Sequence, residues 1–197
     1  GGVRMAGAEF YRGLRNICDR RGVMLIYDEV QTGMGRTGDY FFAGRFGVVP
    51  DMITLAKGIA SGVPMGAVLM SEEIAGQIKP GDLGTTFGGG MLACAALDAT
   101  IDVIDDERLL ENVRENSERL IAELASHPKV EEVRGLGYLI GIKFSSGDAR
   151  PYQQALLERK IITGLADDTS VLRLLPPLTL RRPEIDLFLS EFSTLSF

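Results

Sequence analysis

Val23-Met24-Leu25-Ile26-Tyr27-Asp28-Glu29 and, further on, Met52-Ile53-Thr54-Leu55-Ala56-Lys57-Gly58 decide how this chain folds. Each is a short apolar run, of strand length and bounded by polar or glycine residues. The first predicts a strand over Val23–Tyr27 that runs straight into Asp28-Glu29. The second predicts a strand over Met52–Ala56 that ends in Lys57 and breaks at Gly58. Neither alternates apolar with polar, which is the pattern of strands buried on both faces of a parallel sheet. An acid and an amine therefore stand at strand ends, and open α/β sheets bind ligands outside the carboxyl ends of their strands.

Working outward, Ala8 to Arg21 predicts an amphipathic helix with Phe10, Leu14 and Ile17 on one face, stopped at Gly22. Gly66–Met70 predicts another apolar strand, and Ser71-Glu72-Glu73 a helix start with acids in its first turn. Helix alternating with fully apolar strand predicts an α/β fold with a parallel sheet covered on both faces. Pro80–Gly90 reads as a loop, Met91–Asp105 as an alanine-rich helix, and Glu107–Ser126 as a longer helix. In that longer helix Leu109, Leu110, Val113, Leu120, Ile121 and Leu124 form one core-facing stripe. Beyond Pro128, strands are expected over Val130–Arg134, Tyr138–Phe144, Ile161–Thr163 and Val171–Leu174, with helices over Pro151–Arg159 and Pro183–Ser193. That run predicts an α+β second domain, so the expected division is 1–98 and 99–197.

Composition narrows the function. The 197 residues are 45% hydrophobic and 24% charged with a net charge of −6, and the basic residues are scattered, which argues against a nucleic-acid surface. No apolar run approaches the ~20 residues that span a bilayer, and no signal peptide is evident, so a cytoplasmic protein is expected. Cys18 and Cys94 are far apart, form no CxxC and read as reduced thiols. The one histidine, His127, sits in Ser126-His127-Pro128 and reads as a surface turn residue. With the one histidine read as a surface residue, neither a Ser-His-Asp triad nor a multi-histidine metal centre is expected.

Asp28 alone could be a turn or cap residue, and Lys57 alone a solvated loop lysine. Together, each after an apolar strand, they suit pyridoxal phosphate chemistry. That chemistry needs an amine to form the Schiff base and a carboxylate to keep the pyridine nitrogen protonated. Lys57 would also act as the base that moves a proton at the substrate Cα, which requires a lowered pKa of the kind that burial near a cation gives. Gly33-Met34-Gly35-Arg36-Thr37-Gly38 is a literal GxGxxG, but Asp39-Tyr40-Phe41-Phe42 follows where a dinucleotide fingerprint would open a helix. It reads as a tight loop whose glycines supply positive φ. Thr85-Thr86-Phe87-Gly88-Gly89-Gly90, just before a helix, suits an anion such as a phosphate. Arg173, inside the apolar strand Val171–Leu174, must either pair internally or grip a ligand carboxylate.

Asp28-Glu29-Val30-Gln31-Thr32-Gly33, Gly35-Arg36-Thr37-Gly38, Pro50-Asp51, Ala56-Lys57-Gly58 and Pro64-Met65-Gly66-Ala67 together resemble the class III pyridoxal phosphate-dependent aminotransferases. Gly84-Thr85-Thr86-Phe87-Gly88-Gly89, Arg134-Gly135-Leu136-Gly137 and Arg173-Leu174-Leu175-Pro176-Pro177-Leu178 extend the resemblance over nearly the whole chain. Within the class it is most similar to the members acting on N-acetylornithine. The resemblance implies a fold-type I transferase, with part of the large domain over 1–98 and the small domain over 99–197. It also implies a homodimer with active sites at the subunit interface. By position, Lys57 becomes the Schiff-base lysine, Asp28 the partner of the pyridine nitrogen and Gln31 a contact to the cofactor 3′-oxygen. Thr86 would bind the phosphate of the neighbouring subunit's cofactor, and Arg173 the substrate α-carboxylate. The implied reaction passes an amino group between N-acetylornithine and 2-oxoglutarate, in arginine biosynthesis, with no metal.

The sequence departs from the family pattern in three places. Gly1-Gly2 resembles the end of a Gly-Glu-Gly-Gly stretch in the middle of the large domain, so a C-terminal half is expected. Leu83 stands where the family commonly has histidine, and Gly90-Met91 replaces Asn-Pro ahead of the following helix. The alternatives are another ω-aminotransferase, acting on ornithine, succinylornithine or 4-aminobutyrate, or a non-catalytic remnant serving as a dimerisation partner.

Overall fold

The computed structural model describes residues 2–195, which form two compact units. The N-terminal unit holds Ala6–Gly35 and Asp39–Arg108; the C-terminal unit holds Arg36–Gly38 and the chain from Leu109 on, with the residues up to Met5. Among the described residues no helix is long and apolar enough to cross a membrane.

The N-terminal unit opens with α1, Ala8–Arg21, which ends where Gly22 turns left-handed at φ 62° and Val23 N–H returns to Cys18 O at 3.0 Å. Three strands follow: β1, Ile26–Asp28; β2, Met52–Leu55; and β3, Ala67–Met70. The first strand starts three residues later than expected. Val23 is still closing the helix, and Leu25 N–H donates to the Asp51 carboxylate at 2.6 Å, so the ladder begins only at Ile26. β1 and β2 are parallel, pairing Ile26 with Met52, Tyr27 with Ile53 and Asp28 with Thr54. β3 returns antiparallel, Met52 against Met70 and Leu55 against Ala67, which corrects the wholly parallel sheet expected from sequence. Its connection, Ala56–Gly66, is shorter than the roughly dozen residues a parallel crossover needs.

Nor is this sheet covered on both faces. Ile26, Val68 and Leu69 remain exposed on the two outer strands. Helix α1 also turns a different face inward from the one its apolar spacing suggested. Tyr11, Leu14 and Cys18 pack against Leu25, Tyr27, Phe46 and Val48, whereas Phe10 and Ile17 point to solvent. Both triplets fit helical spacing, and the aromatic stack of Tyr11 on Phe46, at 5.1 Å between rings, sets the choice. The unit closes with a short α2, Glu72–Ala75, capped by Ser71, and α3, Met91–Asp106. Helix α3 spans residue 98, the expected division, and belongs to the N-terminal unit throughout.

The C-terminal unit is a four-stranded antiparallel sheet in the order β4-β5-β7-β6, with strands Val130–Leu136, Leu139–Phe144, Val171–Leu174 and Gly164–Leu165. Helices α4, Leu109–Ala125, α5, Arg150–Glu158, and α6, Arg182–Ser193, bring their apolar faces onto it. Ile140, Ile142 and Phe144 of β5 and Leu172 and Leu174 of β7 meet Leu120, Leu124, Leu156, Ile185 and Phe192 in one core. Of the α4 stripe read from the sequence, Leu120, Ile121 and Leu124 face that core, while Leu109 and Val113 are buried outside it. The strand expected over Ile161–Thr163 lies at Gly164–Leu165 instead, because Ile161 N–H still closes the end of α5 on Leu156 O at 2.9 Å. His127 is half-buried rather than a free surface residue. Its ring meets Phe192 edge-on at 4.9 Å, and loss of solvent lowers its pKa.

Asp51 links α1 to the sheet. It accepts from Leu25 N–H and from Arg15 Nη1 at 2.9 Å, and these two bonds, the backbone one foremost, hold its carboxyl below the usual range. A depressed folded-state pKa adds stability that is present above the unfolded carboxylate range and lost as pH falls through the folded value. Asp51→Asn should therefore be less stable than the parent at pH 7, and the gap between their urea midpoints should shrink below about pH 4.

Candidate active site

The register of β1 and β2 sets the first part of the site. Because the strands are parallel and Asp28 pairs with Thr54, the end of β1 and the end of β2 lie at the same edge of the sheet. Asp28 is the last residue of β1; Lys57 follows β2 after Ala56 and opens a 3-10 turn, Lys57–Ala60. Asp28, Gln31 and Lys57 are all exposed. Val30 N–H donates to Asp28 Oδ1 at 3.0 Å, so one carboxylate oxygen is fixed by a local turn and the other is open. Lys57 has φ 53°, a left-handed conformation that a non-glycine residue adopts only under constraint. The lysine stands in solvent rather than in the buried setting expected for it.

Between these exposed groups lies a buried acid. Glu29 is 2% exposed, and its carboxylate accepts from Thr32 Oγ1 at 2.7 Å, Phe42 N–H at 3.0 Å and Ala43 N–H at 2.7 Å. Its backbone N–H donates to Thr54 O and its carbonyl accepts from Gly33 N–H, both at 2.9 Å. A Cβ at Gly33 would come within 2.9 Å of Glu29 O and of Leu55 Cδ2, so only glycine fits that position without a shift. The glycine-rich run is a series of turns with Gly35 at φ 85° and Gly38 at φ 89°. No long helix opens on it, as the loop reading expected.

Thr86 lies in the same unit, in the exposed loop ahead of α3. Helix α3 begins behind Gly90 with no side chain capping its first turn. Gly90, which departs from the family pattern, has little room for a side chain: a Cβ there would sit 3.3 Å from Phe87 O. A cleft of about 510 Å³ lined by Tyr40, Phe41, Ala43, Val48 and Ile53 contains none of the five expected site residues.

Arg173 belongs to the C-terminal unit, on the face of its sheet opposite the helical core. Its two cross-strand neighbours are both glycines, Gly141 in β5 and Gly164 in β6. The guanidinium lies against Gly164, and its Nε is buried with no hydrogen-bond partner. A buried, unpaired donor on a cation is costly unless something accepts from it, and a bidentate carboxylate is the complement of its geometry.

The segment that follows Arg173 is fixed by three residues that the sequence reading did not single out. Half-buried Arg36, its pKa lowered by loss of solvent, donates to Tyr138 O and to Pro176 O. Asn112 of α4 donates to Leu178 O at 2.8 Å and Leu180 O at 2.9 Å, while its own oxygen accepts from Asn116 and Arg181. Tyr138 O–H also donates to Leu180 O at 2.9 Å, and burial pushes its pKa up to about 12. A polar Asn112 set between Leu109 and Val113 on an otherwise apolar stripe is the signal that could have revealed one of them.

A profile of the family described as Aminotransferase class-III matches residues 1–195. An acetylornithine aminotransferase of Streptococcus mutans is 44% identical over 189 residues, covering 94% of this chain and 49% of the relative. One from Methanocaldococcus jannaschii is 41% identical over 192 residues, with 94% and 47% covered. Among solved structures, the ornithine aminotransferase from Plasmodium yoelii superimposes with a TM-score of 0.89 at 32% identity, over 98% of this chain and 52% of that one. A transaminase from the marine bacterium Virgibacillus does so with a TM-score of 0.91 at 28% identity, over 98% and 49%. The chain thus spans about half the length of the curated relatives it matches. The fold expected from sequence, that of the fold-type I pyridoxal phosphate-dependent transferases, is the fold found.

Removing the Asn112 amide would leave Leu178 O without its donor in a part-buried setting. Asn112→Ala should destabilise the chain by about 1–3 kcal/mol, read from urea unfolding. Asn112→Asp should cost more, because a carboxylate would face two carbonyl oxygens.

Proposed function

The chain belongs to the class-III aminotransferases, and we propose that the protein carrying it exchanges an amino group between N-acetylornithine and 2-oxoglutarate, in arginine biosynthesis. The observation that carries this reading is the parallel register that sets Asp28 and Lys57 at one edge of one sheet. Pyridoxal phosphate is the cofactor of the family, and the residues present fit it. Bound, it supplies a cationic ring that accepts the electron pair left at the substrate Cα. Asp28, with one oxygen held by Val30 N–H, would keep a proton on the pyridine nitrogen through the other. Lys57 would hold the cofactor through its aldehyde carbon, and its Nζ would move the proton at the substrate Cα. Gln31, in the same turn as Asp28, would meet the 3′-oxygen. Thr86 would bind the phosphate from across the interface of a cytoplasmic homodimer. Arg173, with its Nε unpartnered in the protein, would take the α-carboxylate of the amino acid or 2-oxo acid.

The acetylated donor is favoured by the relatives named acetylornithine aminotransferase, at 40–46% identity, over the structures named for ornithine, at 28–32%. In the intact protein kcat/KM for N-acetylornithine should exceed that for ornithine by about tenfold or more. A preference for ornithine would reassign the donor and leave the class intact. Borohydride treatment with pyridoxal phosphate should fix the cofactor to the peptide carrying Lys57. Cofactor fixed to the same extent in Lys57→Ala would reject the assignment.

A further inference from the structure

We infer that Glu29 is a positioning residue that sets Asp28 and Gln31 against the cofactor by tying their turn to the Phe42-Ala43 backbone. The inference rests on the functional reading above and goes beyond it, since Glu29 touches neither substrate nor cofactor there. Asp28, Glu29 and Gln31 lie within one turn, yet only Glu29 is buried. Its two oxygens receive three donors, one hydroxyl and two backbone amides, while its main chain bonds to Thr54 and to Gly33. The far side of the tie is itself held. Phe42 and Phe46 pack on Tyr11 of α1, at 5.4 and 5.1 Å between rings, so the amides that Glu29 grips belong to a packed turn. Thr54 O, which accepts from Glu29 N–H, lies three residues ahead of Lys57 on β2. Glu29 thereby links the acid's turn to the Phe42-Ala43 backbone through its side chain and to the strand that presents the amine through its own N–H.

The chemistry of the site explains why an acid stands here. Three donors converge on two oxygens, so the group must accept only; a glutamine would turn an NH2 toward either Ala43 N–H or Phe42 N–H, and neither amide can rotate away. Glu29→Gln keeps the volume and loses one of these bonds, so it tests the tie without opening a cavity.

In the intact protein, Glu29→Gln should speed amide hydrogen exchange at Phe42 and Ala43 and weaken pyridoxal phosphate binding by about tenfold, as loss of one charge-assisted bond would. Because the effect runs through Asp28 as well as Gln31, it should shrink in an Asp28→Asn background. An equal loss of affinity in both backgrounds, or unchanged exchange at Phe42 and Ala43, would overturn the inference and leave the functional reading standing. Full cofactor affinity in Asp28→Asn itself would overturn both.

Discussion

The pairing of β1 with β2 is the interaction on which the candidate site depends. It involves only three registered pairs, with Glu29 N–H to Thr54 O adding one bond beyond the last. Side chains alternate along a strand, so a slip of one residue would exchange the fates of Asp28 and Glu29. One of these adjacent acids is exposed and half-free; the other is buried under three donors. The register is what tells them apart. It is fixed from below by Leu25 and Asp51, whose mutual bonds start the ladder, and from above by Glu29 and Thr54, which close it.

This arrangement explains what the sequence could and could not reveal. Asp28 and Lys57 were legible because each follows an apolar run, and a strand end is a place sequence can locate. The parallel pairing was legible for the same reason, whereas the antiparallel return of β3 was not. Ala67–Met70 reads identically in either direction, and only the short Ala56–Gly66 connection carried the information. The packing face of α1 was hidden because Phe10, Leu14, Ile17 and Tyr11, Leu14, Cys18 both satisfy helical spacing. What decided between them was Phe46, which lies beyond a glycine-rich loop and is far away in sequence.

Arg173 shows a different balance. An arginine within an apolar strand announced either a salt bridge or a ligand. Its sheet neighbours on both sides are glycines, and Nε is left without a partner. The opposite face of the same strand, Leu172 and Leu174, is sealed in the helical core, which fixes which way the guanidinium can leave. The sheet gives Arg173 a rigid base. Arg36, Asn112 and Tyr138 then hold the Pro176–Leu180 stretch that follows it, so the strand end cannot fray.

Glu29 and Asn112 share a property that hides their partners in the sequence. Both bond largely to main-chain atoms: Glu29 to the amides of Phe42 and Ala43, Asn112 to the carbonyls of Leu178 and Leu180. A side chain that reads backbone places no demand on the identity of its partners, so nothing in Phe42, Ala43, Leu178 or Leu180 signals the contact. The physical demand is instead that each buried polar group be matched in kind, an acceptor-only carboxylate to donors and an amide to both. Glu29 lies next to the exposed Asp28, and Asn112 bonds to the stretch that follows Arg173. The exposed acid and the strand arginine can therefore be held in place by bonds that are themselves screened from water, where they are stronger and less easily exchanged.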